Sequence, residues 1–490
     1  MKNTKRFLYP LLVILLMAAF VRLYRINDYM HFLGDEGRDA LVIKKMVIDY
    51  DPTFIGPITS VGNIYLGPIY YYFMTPFMIL FGMDPVGPAV MIALLSLGTI
   101  FLIYKISYDY FDQKTAIIAS LLYALSPFII NYSRFSWNPN AVPFFGLLII
   151  YGLLKVIVDK QNKWMWVIGL SFGVVVQLHY ICLMFGPIIG LTLLLYRKLS
   201  LKNIGILILS FVVPLVPYIA FEVHNQFPNA TTAFRFITKS GEASTFGLNR
   251  VGLTIGDLTE RAFWRLVVIG SSQVSRITIL LVIGVLLYQF IKGQLVKNTA
   301  LCIILFWYLV SIMIFGIYQG AIYDYYMVQF FAFPALIIGI TFSYLFNKNA
   351  FGKLLVVGLL GVIFGYQLIN SPLLKEPNRL LALTKERAKF ISDQVGDDSY
   401  NFALITGSNS DHAYRYFLEL WGKTPVPILN PDLDPDRETV TNQLFIICET
   451  EECKPLGHPL WEVAGFGMAD ISAEWDIAGT KIIKLVPLES

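Results

Sequence analysis

The sequence is poor in charge, and this scarcity excludes most classes of soluble protein. Only 15% of its 490 residues are Asp, Glu, Lys or Arg, whereas a soluble domain carries about 25%. Hydrophobic residues make up 56% of the chain, and its mean hydropathy is +0.61. We therefore expect a polytopic α-helical membrane protein, long enough to carry a soluble domain as well.

Cysteine is also scarce, with four residues in the chain. Cys182 and Cys302 fall in apolar runs, where packing is the expected role. Cys448 and Cys453 lie close together in the polar C-terminal part. We expect them to form a disulfide if that part faces an oxidising compartment.

Several catalytic signatures are missing from the sequence. It contains no HExxH, CxxC or P-loop motif and no Ser-His-Asp ordering, which argues against metalloprotease, redox and ATP-driven chemistry. We therefore predict no cofactor and no metal site, although the sequence does not decide whether the chemistry needs a metal ion. The net charge of +4 is small, and we expect no nucleic acid partner.

Long apolar runs dominate the chain instead, and eleven of them approach membrane-crossing length. No small-residue cleavage site follows the first run, so we expect it to remain as a span. The runs are Phe7–Tyr24, Pro88–Ile106, Thr115–Ile130, Val142–Val158, Trp164–Leu178, Ile181–Tyr196, Ile204–Phe221, Ile277–Ile291, Leu301–Ile317, Val328–Phe346 and Leu354–Leu368.

A further apolar run, Ile64–Met83, is interrupted by Gly67, Pro68 and Pro76. If this run does not cross, the basic turns of the chain all share the side of the basic N-terminus, as the positive-inside rule requires. Those turns hold Lys105 and Lys114; Lys155, Lys160 and Lys163; Arg197, Lys198 and Lys202; Lys292 and Lys297; Lys348 and Lys353. We therefore predict a re-entrant or juxtamembrane helix there, a cytoplasmic N-terminus, and an extracytoplasmic C-terminal part.

Composition changes near residue 371, where the chain becomes more polar. We predict a transmembrane domain at residues 1–370, with its first outer loop at 26–84, and a small α/β extracytoplasmic domain at 371–490. In the second domain the patterns favour two helices and three strands. They are predicted at Leu380–Gln394, Phe402–Ile405, Asp411–Trp421, Leu444–Cys448 and Lys481–Val486.

A polar island, Gly34–Asp39, follows the first apolar run in a protein that otherwise avoids charge. Acidic groups at a membrane edge are unfavourable, so they tend to be functional. We predict that Asp35 is a catalytic base and that Glu36 orients a ligand or holds structure. The flanking Gly34 and Gly37 would let the backbone approach a substrate closely. The alternative is an acidic turn that caps a helix starting near Asp39.

Arginine is concentrated in the segments predicted to lie outside, where topology alone would not place it. Its planar fork binds phosphate or carboxylate in bidentate fashion, which suggests an anionic ligand on that side. Contact with lipid headgroups by snorkelling is the alternative. The arginines are Arg22, Arg25, Arg38, Arg134, Arg235, Arg250, Arg261, Arg265 and Arg276.

Other polar and aromatic residues at predicted outer helix ends are candidates for substrate binding. Each also has an ordinary reading: tyrosines anchor interfaces, asparagines shape loops, and a lone histidine is usually a hydrogen-bonded structural residue. The candidates are Asn63, Tyr70, Tyr71, Asn138, Asn140, His179, Tyr325 and Tyr326.

This arrangement resembles the GT-C membrane glycosyltransferases, in the branch with the protein O-mannosyltransferases and the aminoarabinose transferase of lipid A. The resemblance covers about residues 1–370 and is most specific for Asp35-Glu36 after one span. The stretch Asn63–Tyr72 is similar to the branch's juxtamembrane His/Pro/Tyr segment, although it lacks the histidine. Gln177–Tyr180 and Tyr325–Pro334 are also similar.

The resemblance implies transfer of a sugar from a polyprenyl-phosphate carrier to an acceptor protein, glycan or lipid outside the cytoplasm. Asp35 would deprotonate an acceptor hydroxyl, which would attack the anomeric carbon with inversion. Outer arginines would stabilise the departing phosphate. The candidates for that role are Arg38, Arg134, Arg235, Arg261 and Arg265.

Two other functions remain open at this point. A polytopic lipid or glycan transporter or flippase would bind similar molecules without chemistry, but should show charges at mid-membrane and matching broken helices. A polymerase or ligase of cell-surface glycans would use related chemistry on another acceptor. Polar groups gather at the predicted outer helix ends, which favours an enzyme.

Overall fold

The computed structural model describes residues 2–59, 64–239, 248–318, 320–407, 409–450 and 452–488. The chain divides into two units. The helical unit contains Met1–Tyr24, Thr53–Phe77 and Pro88–Glu376. The α/β unit contains Arg25–Pro52, Met78–Gly87 and Pro377–Ser490.

Helices make up most of the described residues. In chain order, the α-helices are α1 Lys2–Leu23, α2 Ile26–Tyr29, α3 Gly34–Val47, α4 Ile69–Leu80, α5 Val86–Tyr110, α6 Gln113–Leu125, α7 Pro127–Tyr132, α8 Val142–Ile157, α9 Met165–Leu178, α10 Phe185–Leu195, α11 Leu201–Val212, α12 Val216–His224, α13 Pro228–Lys239, α14 Leu248–Leu266, α15 Ser272–Ile291, α16 Thr299–Ile317, α17 Phe333–Lys348, α18 Ala350–Ile369, α19 Leu380–Gln394, α20 His412–Leu420 and α21 Trp461–Ala464. The 3-10 helices are Asn138–Ala141, Asn162–Trp164, Tyr180–Met184, Val213–Leu215, Asp324–Phe330 and Pro372–Leu374.

Each apolar run predicted as a span is helical, which confirms a multi-pass α-helical membrane protein. Within the described ranges, six helical stretches are long and apolar enough to cross a membrane, and Asp324–Phe330 with Phe333–Lys348, bent by 55°, is a seventh. The six are Val86–Tyr110, Asn138–Ile157, Leu201–His224, Ser272–Ile291, Thr299–Ile317 and Ala350–Ile369. The remaining predicted spans are shorter or interrupted, so length and composition support fewer than eleven uninterrupted crossings.

The ambiguous run Ile64–Met83 forms only the 12-residue helix α4, which begins just after Gly67 and Pro68. Twelve residues of α-helix rise about 18 Å, well short of the roughly 30 Å of a bilayer core. The length suits the predicted re-entrant or juxtamembrane helix. Which side of the membrane it lies on stays a prediction.

Buried polar contacts connect the helices of the helical unit. Arg22, with no exposed surface, donates from Nε to Ser96 Oγ at 2.9 Å and from Nη1 to the Ala124 carbonyl at 3.0 Å. These bonds join the end of α1 to α5 and α6. A cation inside a membrane protein needs such partners. Arg22, which the sequence grouped with the outer arginines, is therefore a structural residue.

Two helices, α13 and α14, were not predicted from the sequence. Both are amphipathic, and α14 alternates apolar residues with charged ones such as Asp257, Glu260 and Arg261. Such helices contain no long apolar run. Their apolar residues recur at the helical period and form a stripe along one face only. They place Arg235, Arg261 and Arg265 on helices rather than in loops.

The α/β unit contains, in the part described, a four-stranded sheet of order β1-β2-β4-β3. Its strands are β1 Asn401–Ile405, β2 Leu444–Cys448, β3 Ala469–Ile477 and β4 Thr480–Pro487. Strands β1 and β2 are parallel, and the other two pairs are antiparallel. The two predicted helices and three predicted strands are present within a residue at each end. Strand β3 was missed because it lies at the sheet edge and is mostly exposed, without a clear apolar pattern.

The first outer loop is divided between the two units, whereas we expected all of it in the transmembrane domain. We assigned residues 26–84 to the transmembrane domain, but Arg25–Pro52 and Met78–Gly87 pack with the residues after 377. The reason is a contact between α3 and α20. The buried face of α3 includes Gly37, Ala40 and Leu41.

The α/β unit also contains the disulfide expected from the sequence. Cys448, at the end of β2, is bonded to Cys453, with their Cα atoms 5.9 Å apart. Cys182 and Cys302 are free thiols in the helical unit, and Cys182 is buried.

Candidate active site

The polar island forms the first turn of α3 in the α/β unit. Leu33, the residue before the helix, is extended and has no polar side chain for capping. Glu36 reaches back, and its Oε2 accepts from the Leu33 amide at 3.0 Å. Glu36 is only 8% exposed, and burial raises its pKa to about 7 despite that amide bond. This geometry favours the structural role that the sequence left open for Glu36.

Asp35, next to it, points into solvent, with 55% of its side chain exposed. Arg38, one turn later, donates from Nη1 to Asp35 Oδ1 at 2.9 Å. Its Nε and Nη2 donate to Asp39 Oδ1 at 3.0 and 2.8 Å, and Asp39 is buried. Arg38 is therefore fixed between two carboxylates of its own helix, and it orients the exposed one.

The two glycines of the island serve helix packing. A Cβ atom on Gly34 would lie 2.0 Å from Ser410 Oγ, and one on Gly37 would lie 2.3 Å from the Ala413 nitrogen. The sequence suggested that these glycines let the backbone approach a substrate. In the structure they let α3 approach the segment 410–413 at the start of α20.

Gly37→Ala is accordingly expected to lower the free energy of unfolding by about 1–3 kcal/mol, the usual penalty for overpacking. The new methyl group would collide with the backbone of α20, which cannot rotate away. The measurement is the thermal unfolding midpoint of the purified protein in detergent. Gly358→Ala in α18, where a Cβ meets nothing within 4 Å, is the control and should not be destabilised. Equal midpoints for Gly37→Ala and wild type would contradict the close approach.

A second polar cluster lies in the helical unit around Asp324. Arg261 donates to Asp324 Oδ1 from Nε at 3.0 Å and from Nη2 at 2.5 Å. Arg265 Nε lies 3.4 Å from Asp324 Oδ2. Both arginines project from one face of α14, because they are four residues apart. Two guanidinium groups thus bracket one carboxylate, an arrangement that suits a phosphate equally well.

Aromatic rings continue from Asp324. The rings of Tyr325 and Tyr326 lie 6.0 and 5.4 Å from His179, and Trp137 is 4.8 Å from Tyr325. His179 Nδ1 accepts from the Ile181 amide at 3.2 Å, and burial lowers its pKa to about 4. The imidazole is therefore neutral, with its proton on Nε2. The structure brings together His179, Tyr325 and Tyr326, as expected if they line one site.

Arg134, which we predicted to bind the donor phosphate, is buried against backbone carbonyls. Its side chain is 1% exposed, and its Nη1 and Nη2 donate to the carbonyls of Val21 at 3.0 Å and Tyr24 at 2.6 Å. Val21 is in the last turn of α1 and Tyr24 directly follows that helix, where carbonyl groups commonly lack helical partners. This geometry supports a helix-capping role instead of phosphate binding.

Four predicted substrate-binding residues also contact protein. Tyr70 is buried against Ser136, with their oxygens 2.7 Å apart, and Tyr71 is 2% exposed. Asn138 donates to the Leu178 carbonyl at 2.6 Å, and Asn140 donates to the Phe135 carbonyl at 3.2 Å. Their polar groups shape the turn before α8 or hold α4.

For two of the predicted site residues, Arg235 and Asn63, the proposed roles stay predictions. Arg235 is exposed on α13, and Asn63 lies outside the described residues. Within the ranges described, no group of three or more His, Cys, Asp or Glu side chains is placed to hold a metal ion.

Sequence reasoning missed two residues that the structure places at these clusters. Asp324, which directly precedes the candidate Tyr325, was not itself proposed as a site residue. Asn409 was given no role, yet its Oδ1 accepts from the Gly34 amide at 2.9 Å, across 375 residues of sequence. The one available signal was an apolar Leu33 at the start of a helix, which leaves the first amides without a local acceptor.

One protein family and one named relative match part of this chain. Residues 66–221 match the family described as dolichyl-phosphate-mannose-protein mannosyltransferase. Over 222 residues the chain is 29% identical to YycA of Bacillus subtilis (strain 168), provisionally named a mannosyltransferase. That match covers 43% of this chain and 31% of YycA, so it spans about a third of the relative's length.

Solved structures match nearly the whole chain. ArnT from Cupriavidus metallidurans in the apo state is 13% identical, with a TM-score of 0.64 over 96% of this chain and 97% of ArnT. ArnT bound to undecaprenyl phosphate is 14% identical, with the same score over 97% of each chain. The archaeal oligosaccharyltransferase AglB from Archaeoglobus fulgidus, in complex with an inhibitory peptide and a dolichol-phosphate, is 13% identical, with a TM-score of 0.53 over 91% of this chain and 69% of AglB.

The fold is therefore the one that ArnT and AglB share, as the resemblance stated from the sequence implied. The partial family match over residues 66–221 supports the glycosyltransferase class.

Proposed function

We propose that this protein transfers a sugar from a polyprenyl-phosphate carrier to an acceptor hydroxyl on the extracytoplasmic face of the membrane. The observation that carries the proposal is the exposed Asp35, oriented by Arg38 at the first turn of α3, in a chain with a GT-C fold along its length. The lipid phosphates in the ArnT and AglB structures support this class of donor.

The chemistry follows from what each group can do. Asp35 takes the proton of the acceptor hydroxyl, and the resulting oxygen attacks the anomeric carbon from the side opposite the phosphate. A new glycosidic bond forms while the bond from carbon to phosphate oxygen breaks, so the configuration inverts. The carrier leaves as polyprenyl phosphate, a stable anion that needs no general acid. One carboxylate is therefore enough.

Arg261 and Arg265 are the arginines that we assign to the donor phosphate. Arg261 already binds a carboxylate, Asp324, through Nε and Nη2, and Arg265 Nε lies 3.4 Å from the other oxygen of that carboxylate. Phosphate oxygens would make the same charge-assisted bonds and would gain charge as the carrier departs. Tyr325, Tyr326 and the Nε2–H of His179 add neutral donors and ring faces that suit a sugar.

The experiment that tests the proposal supplies purified protein with short-chain polyprenyl-phosphate sugars, mannose first. Candidate acceptor hydroxyls are added, and released polyprenyl phosphate is measured against heated protein. Release that depends on acceptor supports transfer. A flippase would move the labelled carrier across vesicle membranes with the sugar bond intact, and this result would overturn the proposal. A surface-glycan polymerase or ligase would release carrier only with glycan acceptors.

The proposed topology has its own test. A tag placed after Ser490 should be reached by membrane-impermeant labels in intact cells, because the basic turns of the chain favour a cytoplasmic N-terminus and an outer C-terminal part. A cysteine introduced at Lys160, in a basic turn, is the control and should label only after lysis. Labelling of the tag only after lysis would contradict the placement of Asp35.

A further inference from the structure

The first turn of α3 depends on an acceptor from a distant part of the chain. The opening amides of a helix have no partner within the helix, and an N-cap side chain normally supplies one. Leu33 occupies the N-cap position and has no side-chain acceptor. Asn409 supplies the missing acceptor. Its Oδ1 accepts a hydrogen bond from the amide of Gly34, the residue before Asp35, at 2.9 Å.

Asn409 is itself held at both ends of its amide group. Its Oδ1 also accepts from the Ser410 amide at 2.9 Å, and its Nδ2 donates to Glu449 Oε2 at 3.2 Å. Thr406 Oγ1 donates to the same Oε2 at 3.0 Å, and Tyr414 donates to Oε1 at 2.8 Å. The amide group of Asn409 therefore has little freedom to turn away from α3.

Glu449 is fixed to the sheet. It directly follows β2 and the disulfide-bonded Cys448, and its amide donates to the carbonyl of Ile405 at the end of β1 at 2.9 Å. A continuous path of hydrogen bonds thus runs from the sheet through Glu449 and Asn409 to the amide before Asp35. Sites held by rigid elements keep their geometry better than sites on loops.

We infer that Asn409 is a positioning residue for the sugar transfer, which holds the backbone of Asp35 in the orientation that lets its carboxylate meet the acceptor hydroxyl. This inference rests on the proposed function. It gives the C-terminal part of the chain a role in the transfer step without contact with substrate.

The decisive variant is Asn409→Leu, which keeps the side-chain size and removes the hydrogen bonds to Gly34 and Glu449. Misplacement of a catalytic group by about 1 Å can lower the rate about 100-fold, so we expect kcat to fall 10- to 100-fold. The KM for the donor should stay within about twofold, because the arginines assigned to the phosphate are unchanged. Hydrogen exchange of the peptide covering residues 33–40 should quicken about fivefold, as for the loss of one cap.

Two further variants separate positioning from folding. Thr406→Val removes another hydrogen bond to Glu449 Oε2 but leaves the contact with Gly34, so it should keep kcat and exchange near wild type. In the double variant Asn409→Asp with Glu449→Gln, donor and acceptor exchange places: the new aspartate accepts from Gly34 and from the new amide. It should restore most of the kcat and the slow exchange. If Asn409 only fills space, the double variant should not differ from Asn409→Leu in kcat or in hydrogen exchange.

The outcomes are distinguishable. Wild-type kcat and exchange for Asn409→Leu, or an equal loss in Thr406→Val, would overturn the positioning role. Faster exchange with unchanged kcat would overturn it too, since the turn would then be mobile without consequence. If Asp35→Asn is inactive while Asn409→Leu is fully active, only this inference fails. If Asp35→Asn is fully active, the proposed base fails, and the positioning role with it.

Discussion

Asp35→Asn is expected to lower the rate of sugar transfer by about 10³-fold, within the range that general bases contribute. Asparagine has the same shape and can still accept from Arg38 Nη1, so α3 should keep its first turn. Its amide cannot take a proton from a hydroxyl at neutral pH, so the acceptor would remain a weak nucleophile. The loss should therefore appear in kcat, with the KM for the donor little changed.

The measurement is release of polyprenyl phosphate at saturating donor and acceptor, compared across three proteins. Asp49→Asn is the matched control: Asp49 lies just after the other end of α3, where it pairs with Lys44 at 3.1 Å. That variant should keep wild-type activity. Similar turnover by Asp35→Asn and wild type would remove Asp35 from the mechanism. A donor KM raised with kcat unchanged would instead assign Asp35 to substrate binding.

Much of the architecture could be predicted from the sequence, because the forces that decide it are local. Apolar runs report the membrane helices directly, since each must bury its backbone polar groups within itself. Strand β2, buried along its whole length, was recognised from five consecutive apolar or cysteine residues. The edge strand β3 was not recognised, because a strand that is mostly exposed needs little apolar surface.

The site was harder to predict, because its residues act through partners far away in sequence. Asp35 could be singled out from its charge near a membrane edge. The packing of Gly37 against α20 could not be predicted, because this contact joins residues 37 and 413, which are far apart in the sequence. Arg134 is a similar case: a guanidinium group can bind a phosphate, but the carbonyls of Val21 and Tyr24 at the end of α1 are equally good acceptors for it. The type of a residue indicates which groups its side chain can bind. It does not indicate which of those groups lies next to the side chain in the folded protein.

Arg261→Lys is expected to lower kcat/KM for the donor about 100-fold, comparable to the loss of one preorganised donor to developing charge. Lysine keeps the positive charge but replaces a planar fork with a single ammonium, so it cannot bind two phosphate oxygens in parallel. In the structure that fork makes two contacts with Asp324 Oδ1 and one with the Ile322 carbonyl at 3.0 Å. A lysine could make only part of this set.

The test combines kinetics with binding of the product, short-chain polyprenyl phosphate, measured by competition against the donor. Arg276→Lys is the control, because Arg276 pairs with Glu260 at 2.9 Å and is 64% exposed. It should bind product like wild type, whereas Arg261→Lys should bind it about tenfold more weakly, the equivalent of one charge-assisted bond. Because Arg261 also joins α14 to Asp324, unfolding midpoints are compared first. Arg261→Lys with wild-type stability and unchanged product affinity would exclude Arg261 as the phosphate ligand, and Arg265→Lys would then be the next variant to measure.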